Sequence, residues 1–141
     1  MELNFDLGIK EYTIKGANGE TSIRFNPTDA NFARSAYATF KELEQKQKER
    51  AELINEKTSN EEAFEFTARI DEEMRASIDK LFGTPVCEAI FGFINLYSMA
   101  GGSPIWLNFM TAVLDQFDEG VKRERYLVSE KAKKYTNKYT K

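Results

Sequence analysis

The sequence of 141 residues has no histidine, one cysteine and three prolines. Without imidazole there is no Ser-His-Asp or Cys-His catalysis, no His-ligated zinc, no haem on a proximal histidine and no side chain that titrates unperturbed near neutral pH. With Cys87 alone there is no intrachain disulfide, no C-x-x-C pair and no cysteine cluster. A lone thiol suits a reducing compartment. No secretory leader is expected either. The opening residues, MELNFDLGIKEY, carry acids at Glu2 and Asp6 and show neither a basic n-region nor an apolar h-region. The expected compartment is therefore the cytoplasm. No repeat with a period of about 20–50 residues and no low-complexity tract is visible.

A long hydrophobic run is present but broken. Residues 89–114 carry no charge, yet Gly101-Gly102-Ser103-Pro104 divides them into 89–100 and 105–114. Each piece falls well short of the ~20 residues a spanning helix needs. Asn95 and Asn108 would be costly in lipid, and the flanks are Glu88 and Asp115 rather than Lys or Arg. Two buried helices meeting at a turn are expected there, with no membrane contact.

Charge is unevenly placed. Residues 120–141 hold eight Lys/Arg against two Glu, a net of +6, which leaves −9 for residues 1–119 out of the total of −3. Such asymmetry favours self-association or an acidic partner, and it also fits a helix C-terminus whose cations complement the macrodipole. A sequence pI near 5.2 argues against nucleic acid.

What is present reads as mainly α with a small N-terminal β-hairpin or sheet (α+β), with about four helices in an irregular bundle. One globular domain is expected over 1–129, with a β-hairpin region at 1–27 and a helical region at 28–129. A flexible basic tail is expected over 130–141. Leu3, Phe5 and Leu7 alternate with Glu2, Asn4 and Asp6, a strand pattern that Gly8 ends or bulges. Residues 9–26 predict a hairpin. A turn at Asn18-Gly19 pairs Ile14 with Ile23 and Tyr12 with Phe25, and a longer loop through Gly16-Ala17 would shift these pairs while keeping the faces. Pro27 closes the second strand, and Thr28 or Asp29 caps a helix over about 30–55.

That first helix has Phe32, Ala36, Phe40 and Leu43 on its apolar stripe, with Ala33 and Tyr37 beside it. Residues 44–52, EQKQKERAE, are polar nearly all round, so this end is expected in solvent or on a partner. Ser59 and Glu62 form a capping box for a second helix striped by Ala63, Thr67, Ile70, Met74, Ile78 and Leu81, which ends on a left-handed Gly83. Thr84 as cap and Pro85 in the first turn start a short third helix that Phe91-Gly92 stops or kinks, and Ser103-Pro104 repeats the cap-then-proline device for a fourth. The fourth carries Trp106, Met110, Val113, Phe117 and Val121, flanked by Ile105, Phe109 and Leu114, and runs to about Ser129.

Catalytic signals are sparse. Ser77-Ile78-Asp79-Lys80 matches S-x-x-K, but its companion motifs are absent and Ser77 sits mid-helix. Gly101-Gly102-Ser103 before a helix could offer N–H groups to an anion, but no Walker lysine follows, and a turn with an N-cap explains it better. Asp71, Glu72 and Glu73 occupy successive helical positions and so point apart. Cys87 has no basic residue near it in sequence and reads as a buried thiol. No catalytic residue, metal or cofactor is expected. Apolar side chains do crowd the C-terminal half. Those beyond what one core face holds would meet a partner, with Phe91, Phe93, Tyr97, Met99, Trp106, Phe109 and Met110 as candidates. Lys131, Lys133, Lys134 and Lys138 are candidate charge contacts.

The segments YTIKGANGETSIRFNPTD (12–29), IDKLFGTPVCEAIFG (78–92) and SPIWLNFMTAVLDQF (103–117), with the double Phe-Gly at 82–83 and 91–92, carry a resemblance. The chain resembles the small tail assembly chaperones of long-tailed bacteriophages and prophages of Gram-positive hosts. The resemblance implies a non-enzymatic protein of the host cytoplasm. It would bind and solubilise the tape measure protein, help recruit tail tube subunits and leave before the virion is complete. A structural tail or head–tail adaptor retained in the particle is the alternative. Self-association is also expected, through the hairpin edge and the divided charge.

Overall fold

The structure is a computed structural model that describes residues 1–120. Its elements in chain order are β1 (Lys10–Gly16), β2 (Gly19–Phe25), α1 (Ala30–Leu53), α2 (Asn60–Phe82), α3 (Cys87–Phe91), β3 (Met99–Ala100), β4 (Ser103–Pro104) and a final helix, α4, over the described residues 105–120. The fold is mainly α, with four helices and a small antiparallel hairpin at the N-terminal side, as the sequence predicts. The expected helix end near Ser129, Val121 on its stripe, the tail at 130–141 and the four candidate lysines lie outside the described residues.

β1 and β2 pair antiparallel with Tyr12 opposite Ile23, Ile14 opposite Thr21 and Gly16 opposite Gly19. The register is therefore two residues away from the expected Tyr12–Phe25 and Ile14–Ile23 pairs, and the turn is Ala17-Asn18. The shift keeps the faces: Ile23 and Phe25 are buried, Tyr12 and Ile14 half-buried beside them. Tyr12 still stacks on Phe25, now its diagonal neighbour, with ring centroids 4.5 Å apart. Two causes fix the observed register. A turn centred on Asn18-Gly19 would need positive φ at Asn18, whereas only glycines take positive φ among the described residues, here Gly19 at 122°. The hairpin tip is also docked on α3, where the Ala17 N–H donates to the Ile90 carbonyl at 2.9 Å.

The expected strand at 2–7 does not form. The ladder ends with Lys10 opposite Phe25, and Pro27, which has no N–H, could not extend it. Gly8 turns the chain at φ 70°, and the Asn26 side-chain amide donates to the Leu7 carbonyl at 2.9 Å. Leu3, Phe5 and Leu7 are consequently 89%, 76% and 63% exposed.

Asp29 caps α1 by accepting the Asn31 N–H at 2.9 Å. Ala36, Thr39 and Leu43 are buried, Phe32 and Phe40 pack beside them, and Tyr37 falls outside the stripe. The polar end of α1 keeps one face in solvent, with Glu44, Gln45, Lys48 and Glu52 exposed. Its other face lies on α2, with Lys46 Nζ 2.7 Å from Glu73 and Arg50 Nε 3.0 Å from the Thr67 hydroxyl. The polar residues form a hydrogen-bonded seam where the two helices continue side by side beyond the apolar stripe.

α2 begins on Ser59, whose hydroxyl accepts the Glu62 N–H at 3.1 Å, and ends on left-handed Gly83. Ile70, Met74 and Ile78 are fully buried. α3 does not use Thr84 as its cap. Val86 holds that position, and the Asp79 carboxylate reaches across from α2 to accept the Val86 and Cys87 N–H groups, both at 2.9 Å. The chain then leaves the helical state at Gly92, so α3 stops at Phe91-Gly92, one of the two outcomes the sequence predicts there, and no buried helix runs on to residue 100. Residues 92–98 form turns, and β3 and β4 make a minimal hairpin across Gly101-Gly102. Ser103-Pro104 is thus a strand, not a cap. The free N–H groups of Ile105 and Trp106 donate instead to the Ser98 and Leu96 carbonyls.

Trp106, Met110, Val113 and Phe117 of α4 are buried, as their spacing predicts. Phe25, Phe32, Phe82 and Phe117 bring β2, α1, α2 and α4 together, with centroid separations of 5.1 Å (Phe25–Phe32) to 6.5 Å (Phe25–Phe82).

Candidate protein-interaction surface

The seven candidate contact residues separate into two groups. Phe91, Trp106 and Met110 are buried in the core. Phe109 is half-buried and meets Phe91 edge-on at 5.4 Å, and Trp106 Nε1 donates to Gln47 Oε1 on α1 at 2.7 Å. These side chains hold the body together. Phe93 and Met99 are 104% and 65% exposed, and Tyr97 lies between the two groups, half-buried. The exposed members of the set lie within residues 92–99.

That segment is held against α2 by charged side chains. Asp71 accepts the Leu96 N–H at 2.7 Å and pairs with Arg75 Nε at 3.0 Å, while Arg75 also donates to the Ile94 carbonyl at 2.6 Å. The resulting ledge borders two open hollows that share Ala68 and Asn95 as walls. One, of about 610 Å³, has Phe93, Glu72 and Glu88 around it. The other, of about 380 Å³, has Phe64, Arg50 and Tyr97. Together they form a shallow groove along α2, with exposed Phe93 bordering one hollow and exposed Phe64 the other. Phe64 is 74% exposed. It lies beside the buried stripe of α2 and gives no periodic signal, so sequence reasoning passed over it. A lone aromatic on a polar helix face was the available clue.

Tyr97 sits under the Arg50 guanidinium, 4.8 Å from its ring centroid. Its hydroxyl is buried and has no hydrogen-bond partner among the described residues. Burial raises its pKa to about 12, with Arg50 opposing the shift.

The remaining candidate chemistry is occupied by structural contacts. Cys87 is buried, its thiol donates to the Arg75 carbonyl at 3.4 Å, and burial followed by the Asp79 carboxylate pushes its pKa well above the ordinary thiol value. The Ser77 hydroxyl is 2.7 Å from Glu42 and 3.1 Å from the Glu73 carbonyl. Of the three consecutive acids, Asp71 holds the ledge, Glu73 meets Lys46, and Glu72 stands exposed at the groove. Gly101-Gly102 form the turn between β3 and β4. Among the described residues no group of three or more His, Cys, Asp or Glu could hold a metal ion, and no helix is long and apolar enough to cross a membrane.

No family model matches the chain, and neither a curated protein nor a solved structure does.

Proposed function

We propose that this chain is a non-enzymatic tail assembly chaperone. In this reading it binds the tape measure protein of a long-tailed phage in the cytoplasm of the bacterial host, keeps it soluble and helps recruit tail tube subunits. The observation that carries the reading is the groove along α2 with Phe64 and Phe93 standing out of it, 74% and 104% exposed. Exposed aromatic anchors beside a shallow trough suit the apolar face of an amphipathic helix, and such anchors supply most of the energy in helix-in-groove recognition. A tape measure protein is long and largely helical, so it offers many such faces. Glu72 and Glu88 at the same groove favour a stretch of helix flanked by lysine or arginine.

The test is co-expression with the tape measure protein encoded in the same phage or prophage genome. The expected result is a soluble complex that co-purifies, where the tape measure protein alone is insoluble. Failure to co-purify while the tape measure protein stays insoluble would overturn the reading. Mass spectrometry of purified particles separates the chaperone from a structural adaptor, because a chaperone is absent from the finished tail.

A further inference from the structure

Residues 1–7 carry an alternating apolar face and have no ladder to join, and Gly8 turns the chain after them at φ 70°. Leu3, Phe5 and Leu7 are exposed, and at the base of this arm the Asn26 amide donates to the Leu7 carbonyl at 2.9 Å while the Gly8 N–H donates to the Asp6 carboxylate at 2.8 Å. A segment of this kind is a strand awaiting a partner. Its sequence says which one. About Phe5 it is nearly palindromic: Leu3 mirrors Leu7, and Asn4 mirrors Asp6.

We infer that the arm is a self-pairing strand, forming with the arm of a second copy an antiparallel two-stranded ribbon centred on Phe5. In that register Phe5 faces the partner's Phe5 and Leu7 faces the partner's Leu3, so Leu3, Phe5 and Leu7, ahead of the Gly8 turn, share one face. On the other face Asp6 meets the partner's Asn4, and Glu2 falls where the partner chain turns away at Gly8, so no acid opposes an acid. The two neighbouring registers that preserve the faces fail this condition. Centring on Asn4 sets Glu2 against the partner's Asp6, and centring on Asp6 sets Asp6 against the partner's Asp6. Like charges directly opposite are destabilising, so one register is favoured. The arrangement is isologous and closes as a twofold dimer.

A bare ribbon is marginal in water and needs its apolar face covered. The body provides a place. An open hollow of about 620 Å³ lies at the base of the arm, bordered by Leu7, Ile9, Phe25, Phe32 and Phe82. The partner's Leu3, opposite Leu7, is thereby brought to its mouth, and by symmetry the same occurs on the other copy.

The inference is independent of the groove along α2 and of its client. Light scattering on the full chain at micromolar concentration should give a dimer, and Phe5→Asp, which sets two acids face to face on the twofold axis, should weaken it at least tenfold. The register is read by cross-linking under mild oxidation. A residue opposite itself has its Cα about 4.5–5.5 Å from its mate, within disulfide reach, so Phe5→Cys should link to itself. Residue 3 lies about 13 Å from its own counterpart in this register, so Leu3→Cys alone should not link, while a mixture of Leu3→Cys and Leu7→Cys should. Cys87 is buried and stays out of the reaction. A monomeric parent chain, a Phe5→Asp variant as dimeric as the parent, or Leu3→Cys linking to itself as readily as Phe5→Cys would each overturn the inference.

Discussion

Asp79 illustrates how much one carboxylate does in this fold. From the last turns of α2 it accepts the N–H groups of Val86 and Cys87, so the start of α3 is capped from seven and eight residues back along the chain. Sequence reasoning assigned that role to Thr84 because cap rules are local, and a cap delivered by the preceding helix has no local signature. The same carboxylate reinforces the effect of burial on the Cys87 thiol, whose pKa is raised from its ordinary value of 9.0. An unfolded chain releases the thiol proton near that value while the folded chain keeps it. Above about pH 9 the unfolded state therefore binds fewer protons, and stability falls as pH rises, by at most ~1.4 kcal/mol per pH unit for one such group. Tyr97, raised to about 12, adds a slope of the same sign above its ordinary 10.0, and Lys46, raised chiefly by its hydrogen bond to Glu73, adds another above 10.5. Urea denaturation between about pH 9 and 10 isolates the thiol. The midpoint of the parent chain should fall over that interval, and that of Cys87→Ala should stay nearly level. A parallel decline in both would show that Cys87 ionises freely in the folded protein.

At the level of elements, legibility follows how local the determining interactions are. The α2 boundaries, the Asp29 cap and the α4 stripe come from neighbours in sequence and were readable there. The hairpin faces were readable for the same reason, through period-two alternation, but its register was not, because α3 sets it. Gly16 makes this concrete. A Cβ at this position would stand 2.6 Å from the Ala89 carbonyl oxygen, which is backbone and cannot swing aside. Gly16→Ala should therefore push the hairpin tip off α3 and destabilise the protein by about 1–3 kcal/mol. Gly19→Ala, at φ 122° but with no atom within 4 Å, tests conformational strain without collision. Loss of the Ala17 amide's protection from hydrogen exchange in the Gly16 variant alone would locate the damage at the contact with Ile90. The inner face of the polar end of α1 is hidden from the sequence for a related reason. Its seam to Glu73, Thr67 and Trp106 joins residues 17 to 59 positions apart, and periodicity within one helix does not reveal a partner helix.

Across the whole molecule, the apolar surplus of the C-terminal half divides by function according to burial. Phe93 and Met99 were legible as surface candidates but could not be told from Phe91, Trp106 and Met110, because aromatic density alone does not distinguish a core from an interface. The unexpected turns at 92–98 do that by carrying Phe93 outward while α3 and α4 draw their aromatics in. The two groups should therefore respond oppositely to substitution. Phe64→Ser with Phe93→Ser removes exposed side chains that pack against little, so the thermal stability should change by no more than about 0.5 kcal/mol. If the groove holds the proposed tape measure client, the same variant should lose co-purification and leave that protein insoluble. Trp106→Ala removes a buried indole and its bond to Gln47, and should cost about 3–5 kcal/mol of stability. Calorimetry and co-expression on both variants separate the roles. A double serine variant that folds normally yet solubilises the client as well as the parent would move the binding surface away from α2, and would do so without bearing on the arm at residues 1–7.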